Sequence, residues 1–266
     1  MPELPDVEVF KRYLDSTSLR QKIATVTVQN AKVLKDISSH KLAQKLKGRR
    51  FKSSARHGKF LFAQLGNSDG SLVLHFGMTG YLKYLKGKEE EPTHTRVLFH
   101  FTNGSRLAYV CQRMFGKVAL TDSPDTFVEQ RALGPDALAL DWHQFRRLMR
   151  GKRGAIKSVL MDQSTVAGIG NVYSDEILFH ASIDPRAGTH KLSEKALRRL
   201  YRAMGSVLKK TIQYEADPDR VPETWLLRHR RSEGKCPRCG RSLERIKMNQ
   251  RSGYACPRCQ KEPNSR

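Results

Sequence analysis

Acidic residues are scarce in this chain of 266 residues, since 26 Asp and Glu stand against 49 Lys and Arg and leave a formal net charge of +23. Such an imbalance indicates a polyanionic partner, and nucleic acid is the first candidate. Long apolar runs are also missing, because none approaches the ~20 residues that a membrane-spanning helix needs. The opening Met-Pro-Glu-Leu-Pro-Asp lacks the basic and apolar regions of a signal peptide. We therefore expect a protein that is not secreted, works in the cytoplasm or otherwise inside the cell, and has no membrane partner.

Cysteine is rare as well, and four of the five cysteines form two Cys-x-x-Cys pairs separated by sixteen residues. Few thiols in such pairs argue against a disulfide framework and favour one zinc ion in a closed site. With four sulfur ligands no position is left for water, so the predicted Zn²⁺ is structural. The predicted ligands are Cys236, Cys239, Cys256 and Cys259.

The C-terminal segment that holds these cysteines is strongly basic. Residues 226–266 contain twelve Lys or Arg and three acids. A zinc hairpin with this charge is suited to lie along phosphates. A solvated basic tail and a protein-binding zinc ribbon are the alternatives.

Hydrophobic periodicity divides the rest of the chain near Gly134. Before it, short β-rich runs predict an antiparallel β domain. The runs are Ile23 to Val28, Phe60 to Leu65, Leu72 to Phe76, Arg96 to Phe101 and Arg106 to Val110. One short helix is predicted at residues 6–15.

After Gly134 the period becomes helical. Helices are predicted at residues 141–150, 154–162 and 171–181, and a long helix begins near Ser193, its candidate N-cap. Residues 215–223, rich in Asp and Pro, predict a linker into the zinc segment. No internal repeat and no low-complexity tract interrupts this plan.

Several short motifs, taken in order along the chain, are specific together. They are Met1-Pro2-Glu3-Leu4-Pro5, Lys59, His75-Phe-Gly-Met-Thr-Gly80, Gly168-Ile-Gly-Asn-Val-Tyr173 and the two cysteine pairs. On these residues the chain resembles the formamidopyrimidine-DNA glycosylase and endonuclease VIII family, and its opening is more similar to the formamidopyrimidine-DNA glycosylase branch.

The resemblance implies an α+β multidomain fold with three domains. These are an N-terminal antiparallel β-sandwich (1–133), a helix-two-turn-helix domain (134–225) and a Cys₄ zinc finger (226–266). It also implies a monomer that binds double-stranded DNA containing damaged bases or abasic sites. The implied activity is that of a bifunctional DNA glycosylase and abasic-site lyase in base excision repair.

The implied catalytic residues are Pro2, Glu3 and Lys59. Once Met1 is removed, Pro2 has a free secondary amine that titrates near ~8 and attacks C1′ of the damaged nucleotide. The resulting iminium permits β-elimination and then δ-elimination. Glu3 is expected to donate a proton to the sugar ring oxygen, and Lys59 to hold a nearby phosphate.

The resemblance also implies a set of DNA-binding residues. Asn171, Arg251 and Lys157 are expected at phosphates, with Lys157 as the weaker candidate. Met78, Arg113 and Phe115 match the set that fills the gap left by an extruded base. His75 and His94 are expected to be structural or to contact phosphate, since the sequence has no second metal-binding pattern.

The segment from Thr211 to Lys235 departs from the family pattern, because it lacks the stretch rich in Gly and Thr that forms a lesion-capping loop in many 8-oxoguanine-excising members. We therefore expect poor removal of 8-oxoguanine. A non-catalytic damaged-DNA binder on the same scaffold, and a zinc-ribbon protein serving RNA or transcription, are the competing hypotheses.

Overall fold

The computed structural model describes residues 2–66, 70–248 and 250–261. The chain divides into two units, Met1–Ala132 and Leu133–Arg266. Within the described residues, no helix combines the length and the apolar character that crossing a membrane requires.

The first unit is built from strands and three flanking helices. The described strands are β1 (Ile23–Val28), β2 (Phe51–His57), β3 (Phe60–Leu65), β4 (Ser71–His75), β5 (Tyr81–Leu85), β6 (Thr95–Phe101), β7 (Arg106–Val110) and β8 (Lys117–Thr121). The helices are α1 (Leu4–Thr17), α2 (Ser39–Leu46) and α3 (Pro124–Gln130).

These strands form two antiparallel four-stranded sheets, in the orders β1-β6-β7-β5 and β2-β3-β4-β8. Alternate side chains of both sheets point into one apolar core, to which Val26, Leu61, Leu74 and Phe99 contribute. The predicted β-sandwich is therefore confirmed. The five predicted runs agree with β1, β3, β4, β6 and β7, whereas β2, β5 and β8 were not predicted.

Helix α1 packs across this sandwich and fixes the start of the chain. The Phe10 ring lies 4.5 Å from the Phe76 ring between centroids. The backbone N–H of Tyr84 donates to the Tyr13 hydroxyl at 2.8 Å. Because both contacts reach the β-sheets, the N-terminal end of α1 has a defined position relative to the strand ends.

The second unit contains helices and a small hairpin. Its elements are α4 (Trp142–Arg150), α5 (Ile156–Met161), α6 (Asn171–Ala181), α7 (Glu194–Gln213), a 3₁₀ turn (Leu226–His229), β9 (Glu244–Met248) and β10 (Arg251–Ala255). The side chain of Ser193 accepts from Ala196 N at 3.2 Å, so the predicted N-cap of α7 is confirmed. The turns between α5 and α6 give the predicted helix-two-turn-helix arrangement.

Glu176 is a fully buried carboxylate within α6. Its two oxygens accept the backbone N–H groups of Leu226 at 3.1 Å and Leu227 at 2.6 Å. His180 Nε2 lies 2.9 Å from the same carboxylate. Glu176 thereby connects α6 to the 3₁₀ turn that comes before the cysteine pairs. The contact is important for stability, because buried backbone donors without an acceptor would be costly.

Replacing Glu176 with Ala should lower the free energy of unfolding by about 3 kcal/mol, because two buried N–H groups lose their acceptor. Urea denaturation followed by circular dichroism measures this loss. Glu233→Ala, at an exposed position of the same unit, should change stability by no more than about 0.5 kcal/mol. Equal effects of the two substitutions would contradict the role given to Glu176.

Candidate active site and nucleic-acid interface

The second residue of the chain stands directly before the first helical turn. Glu3 is the N-cap of α1 and is fully buried, while Pro2 is partly exposed. The Glu3 backbone N–H donates to the Asp6 carboxylate at 2.9 Å, within a capping box formed by the two residues. The peptide that follows Pro2 is therefore held by the helix.

Asp6 has an unusual electrostatic environment for a surface helix residue. Burial raises the pKa of the Asp6 carboxyl to about 6. The hydrogen bond from the Glu3 backbone opposes this change, and the negative charge of Glu3 reinforces it. Asp6 therefore titrates close to neutral pH while it holds the backbone of Glu3.

Lys59 lies in the β2–β3 connection, and an ion pair positions this connection. Arg56 Nε donates to Glu8 of α1 at 2.9 Å. The Arg56 guanidinium also donates to the Gly58 carbonyl at 3.2 Å. The residue before Lys59 is thus tied to the second turn of α1, so Lys59 and the Pro2 end of α1 belong to one region of the first unit.

His75 lies opposite Phe60 in the β3–β4 register, with its ring 5.0 Å from the Phe60 ring. Burial lowers the pKa of His75 to about 4, and the charges of Lys59 and Arg131 act in the same direction. The Gly77 backbone N–H donates to His75 Nδ1 at 3.3 Å. A neutral imidazole that accepts at Nδ1 has its proton on Nε2, which leaves a donor for an anion at neutral pH.

The residues expected to fill the DNA gap lie on two loops whose backbones touch. A Cβ atom at Gly77 would lie 2.4 Å from Gly116 N, so only glycine permits this approach. Met78 is 36% exposed and Phe115 is 56% exposed, although both side chains are large and apolar. The Arg113 guanidinium lies 5.3 Å from the centre of the Phe115 ring.

Arg96, which sequence reasoning missed, supports the loop that presents Arg113. Its guanidinium donates to the carbonyls of Cys111 at 2.9 Å and Gln112 at 3.3 Å. The exposed His94 lies beside it, with 3.4 Å between His94 Nδ1 and the Arg96 guanidinium. No local pattern reveals such a brace, because Arg96 contacts carbonyls that lie fifteen residues and more away in the chain.

Asn171 is the first residue of α6, and its side-chain amide donates to the Ser252 carbonyl of the zinc hairpin at 2.8 Å. Arg251, the neighbour of Ser252, is exposed at the start of β10. Asn249, part of the sequence context of Arg251, lies outside the described residues. Asn171 and Arg251, two of the three residues of this unit that are predicted to bind phosphate, are therefore close neighbours.

Lys157 is fully buried, and its ammonium group lies in a network of polar groups on α6. It donates to the Asn171 carbonyl and to Ser174 Oγ, both at 3.1 Å, and forms an ion pair with Asp175. The amine therefore supports the first turn of α6 from inside the protein.

Asp175 extends this network to the zinc hairpin. Its second oxygen accepts from Arg230 at 2.8 Å and from the Tyr254 backbone N–H at 3.1 Å. A Cβ at Gly253 would lie 2.8 Å from Asp175 Oδ1 and 2.9 Å from the Lys157 amine. The absence of a side chain at Gly253 thus lets β10 reach the buried charges.

The four paired cysteines converge at one point, and all four sulfur atoms lie within 4.8 Å of one another. The Sγ–Sγ distances are 3.8 Å for Cys236 and Cys259 and 3.5 Å for Cys239 and Cys256. A tetrahedral site with Zn–S bonds of about 2.3 Å separates its sulfurs by about 3.8 Å. The donor set therefore fits one structural zinc ion, as predicted.

Three family profiles match successive parts of the chain. The formamidopyrimidine-DNA glycosylase N-terminal domain matches residues 1–118, and the helix-two-turn-helix domain of the same enzymes matches residues 133–221. A zinc finger found in formamidopyrimidine-DNA glycosylases and isoleucyl-tRNA synthetases matches residues 234–261. Together they define a DNA-repair enzyme with a β-sandwich, a helix-two-turn-helix domain and a zinc finger.

Individual relatives agree with these profiles over nearly the whole chain. The formamidopyrimidine-DNA glycosylase of Moorella thermoacetica is 37% identical over 261 residues, which cover 93% of this chain and 95% of the relative. That of Geobacter metallireducens is 35% identical over 270 residues, covering 98% and 100%. The chain belongs to the formamidopyrimidine-DNA glycosylase family, whose members are DNA glycosylases with abasic-site lyase activity.

Solved structures of this family have the same fold and contain DNA. The Lactococcus lactis enzyme in complex with DNA containing an abasic site superposes with a TM-score of 0.87 at 28% identity, and the match covers 98% of this chain and 100% of that chain. The same enzyme with formamidopyrimidine-deoxyguanosine in the DNA gives 0.88 at 27% identity with the same coverage.

One zinc ion per chain is expected by metal analysis. Cys256→Ser should abolish zinc retention, because a tetrahedral site loses one of its four thiolates. Cys111→Ser provides the control, since Cys111 is a buried thiol of the first unit. Full zinc content in the Cys256 variant, or loss of zinc in the Cys111 variant, would contradict the assignment.

The rate of strand cleavage should fall as the pH drops through about 6, because Asp6 then becomes protonated. A neutral carboxyl accepts the Glu3 N–H less strongly than a carboxylate, and the difference corresponds to about tenfold in rate. Asp6→Asn should be slow at every pH and should lack this step in its pH profile. Asp15→Asn, at the other end of α1, should keep the wild-type profile.

Proposed function

We propose that this protein excises oxidised bases from double-stranded DNA and cuts the resulting abasic site, with the amine of Pro2 as its nucleophile. The observation that carries the proposal is the arrangement at the start of α1. The fully buried Glu3 follows Pro2 directly, and the Asp6 carboxylate holds the Glu3 backbone N–H at 2.9 Å.

The chemistry of Pro2 depends on removal of Met1, which lies outside the described residues. The free secondary amine titrates near ~8, so a useful fraction is unprotonated near neutral pH. Its lone pair attacks C1′, and the damaged base leaves with the electrons of the glycosidic bond. The resulting iminium acidifies the C2′ proton, so that the 3′ phosphate and then the 5′ phosphate are eliminated.

Glu3 supplies the proton in this mechanism. As the sugar opens, its ring oxygen becomes basic and needs a donor close to C1′. The residue next to the nucleophile is well placed for this step, and the helix start limits its freedom. Glu3 then exchanges protons during the eliminations.

Cationic, imidazole and amide groups of both units are proposed to hold the phosphates. In the first unit these groups belong to Lys59, His75 and His94, and in the second unit they belong to Asn171 and Arg251. Asn171 also has the backbone N–H groups of the first turn of α6 beside it, which favour an anion. For Lys157 we propose a positioning role in place of the direct contact expected from the sequence, because its buried amine holds the first turn of α6.

Met78, Phe115 and Arg113 are proposed to open the duplex. The two apolar side chains are exposed although burial would be favourable, which is typical of groups that wedge between base steps. Arg113 then hydrogen-bonds the orphaned base opposite the lesion. The Arg113 guanidinium and the Phe115 ring lie side by side on one loop.

The proposed substrates are formamidopyrimidines, hydantoins, oxidised pyrimidines and preformed abasic sites, with poor activity on 8-oxoguanine. The support lies in the segment after α7, where successive turns replace an extended loop. Trp225 is 4% exposed, and its ring centroid lies 5.2 Å from that of His180 and 6.2 Å from that of Tyr214. A segment packed in this way is unsuited to fold over an extruded base.

The proposed functional domains are 1–133, 134–225 and 226–266, working in a monomer. Action on DNA requires a location inside the cell. We extend this to the cytoplasm of a bacterial cell, in association with the nucleoid.

Borohydride trapping tests the nucleophile. Reduction of the iminium during reaction with a damaged duplex should crosslink the protein through Pro2, and peptide mapping should find the adduct there. Protein that retains Met1 should form no adduct, because its Pro2 nitrogen is an amide with a delocalised lone pair. An adduct on Lys59 or another lysine would overturn the mechanism, and the absence of any adduct would favour the non-catalytic binder.

Two substitutions separate the steps of this mechanism. Pro2→Gly restores a primary amine but should slow the reaction, because the ring no longer fixes the direction of the nucleophile. Glu3→Gln should abolish base excision and slow elimination at a preformed abasic site much less, because no base has to leave there. Equal loss of both activities in the Glu3 variant would contradict the assignment of Glu3 as the proton donor for base departure.

The DNA-binding groups should divide into two classes. Arg251→Ala should weaken binding to damaged and undamaged duplexes alike and reduce the salt dependence by about 0.9 in the log–log slope. Met78→Ala and Phe115→Ala should mainly impair binding at lesions and base excision. If all three variants lose the same affinity for undamaged DNA, the wedge has been assigned to the wrong residues.

A further inference from the structure

The solvent-facing side of α7 forms a row of cations that the proposed function does not use. Nine residues of this helix are exposed at spacings of one, three or four residues, and six of them are Lys or Arg. The six, here called the α7 basic stripe, are Lys195, Arg198, Arg199, Arg202, Lys209 and Lys210. Along a helix that rises ~1.5 Å per residue, the stripe extends over about 22 Å.

Few carboxylates neutralise this charge. Glu194 is the acid at the N-terminal end of the stripe, and it contacts Arg146 at 2.8 Å, Arg150 at 2.9 Å and Arg198 at 3.9 Å. One negative charge is thus shared by three arginines. Within the part of the chain that the structure describes, Lys195, Arg202 and Lys209 form no ion pair shorter than 4.0 Å.

The α7 basic stripe faces away from the DNA-binding residues of its own unit. The buried side of α7 packs against α6, and the β10 strand of the zinc hairpin packs against α6 in turn. Asn171 and Arg251 belong to these two further elements. Arg199 reaches the C-terminal end of α6, where its Nε donates to the Ala181 carbonyl at 3.2 Å. For the other members of the stripe the body of α7 lies between them and α6, and packed helix axes are about 8–10 Å apart.

The composition of the stripe favours a nucleic acid over a lipid surface. The exposed uncharged residues of α7 are Ser206 and Gln213, both polar. A helix that binds membranes inserts large apolar side chains, and the exposed ones of the described chain, Met78, Tyr81 and Phe115, belong to the first unit. The phosphates of a duplex recur every ~3.4 Å of helix axis on each strand, so a straight row of cations can contact several of them at once.

We propose that the α7 basic stripe binds the phosphate backbone of a second DNA duplex while the first duplex occupies the lesion site. The contact is independent of base sequence, because it involves charge alone. A protein with two DNA-binding faces holds two DNA segments at once and moves from one to the other without dissociating from DNA. This proposal adds a second contact to the proposed function and requires no change in its chemistry.

The test uses the zinc-loaded full chain with two short duplexes. A donor-labelled duplex containing a tetrahydrofuran abasic analogue saturates the lesion site, and an acceptor-labelled undamaged duplex is then titrated at low salt. Energy transfer reports bridging, and native mass spectrometry counts the duplexes on each protein. Wild-type protein should bind one duplex of each kind.

Matched variants locate the contact. Lys195→Gln/Arg202→Gln/Lys209→Gln removes three stripe charges, and Lys41→Gln/Lys45→Gln/Lys47→Gln removes three exposed charges at α2 of the first unit. Glutamine is close to both basic residues in helix propensity. The stripe variant should lose at least about tenfold in affinity for the second duplex, and its log–log salt slope should fall by up to about 2.7. The α2 variant should resemble wild type.

Cleavage of an abasic duplex is measured in parallel, and both variants should retain the wild-type rate. If the stripe variant loses this activity through misfolding, the single charge reversal Arg202→Glu repeats the test with a smaller perturbation. Absence of a complex with two duplexes in wild-type protein, or equal losses in the stripe and α2 variants, would overturn the proposal. It would also be overturned if the stripe variant lost binding to anionic vesicles while it kept the second duplex.

Discussion

In the proposed mechanism the nucleophile, Pro2, must be held still while its amine stays free, and the start of α1 meets this constraint. Chain ends are mobile unless the structure ties them down. Here the tie is indirect: the Asp6 carboxylate holds the backbone N–H of Glu3, so that Pro2 itself needs no bond to its nitrogen. The helix is fixed to the sandwich in turn, through Phe10 against Phe76 and through Tyr13. The proposed nucleophile thus keeps its lone pair, and the rigidity comes from residues after it.

In the second unit, buried charges hold the proposed DNA-binding residues in place. Removing charges from water costs several kcal/mol for each ion unless partners satisfy them. Asp175 therefore occurs with Lys157, Arg230 and the Tyr254 N–H as partners. Because these partners come from three parts of the chain, the network is complete only when α6 and the zinc hairpin are both folded. The network places the zinc hairpin beside Asn171, so the proposed phosphate binding at Asn171 depends on the fold of the hairpin that the zinc site closes.

The sequence predicted most of the elements with a clear hydrophobic period and missed α2, α3, β2, β5 and β8. Helix α6 agrees with its prediction at both ends, and β1 and β3 agree residue for residue. Strand β2 was missed because only Phe51 of its seven residues is buried, so it has no alternating pattern to read. Local motifs indicated Pro2, Glu3 and the cysteines as candidate site residues. Supporting residues such as Arg96 and Asp175 could not be predicted, since their partners become neighbours only on folding.

The packing after α7 bears on how a lesion is recognised. The guanidinium of Arg228 donates to the carbonyls of Asp219 at 2.9 Å and Val221 at 3.2 Å, and Trp225 of the same segment is buried. These contacts would have to break before the segment moved over an extruded base. Under the proposed function, selection among lesions then depends more on how easily a base leaves the stack and departs from the sugar. Both steps favour bases that are already unpaired or chemically weakened. This argument supports the proposal that a stably stacked lesion such as 8-oxoguanine is a poor substrate, because the described residues after α7 are held in place by these contacts and would not fold over an extruded base.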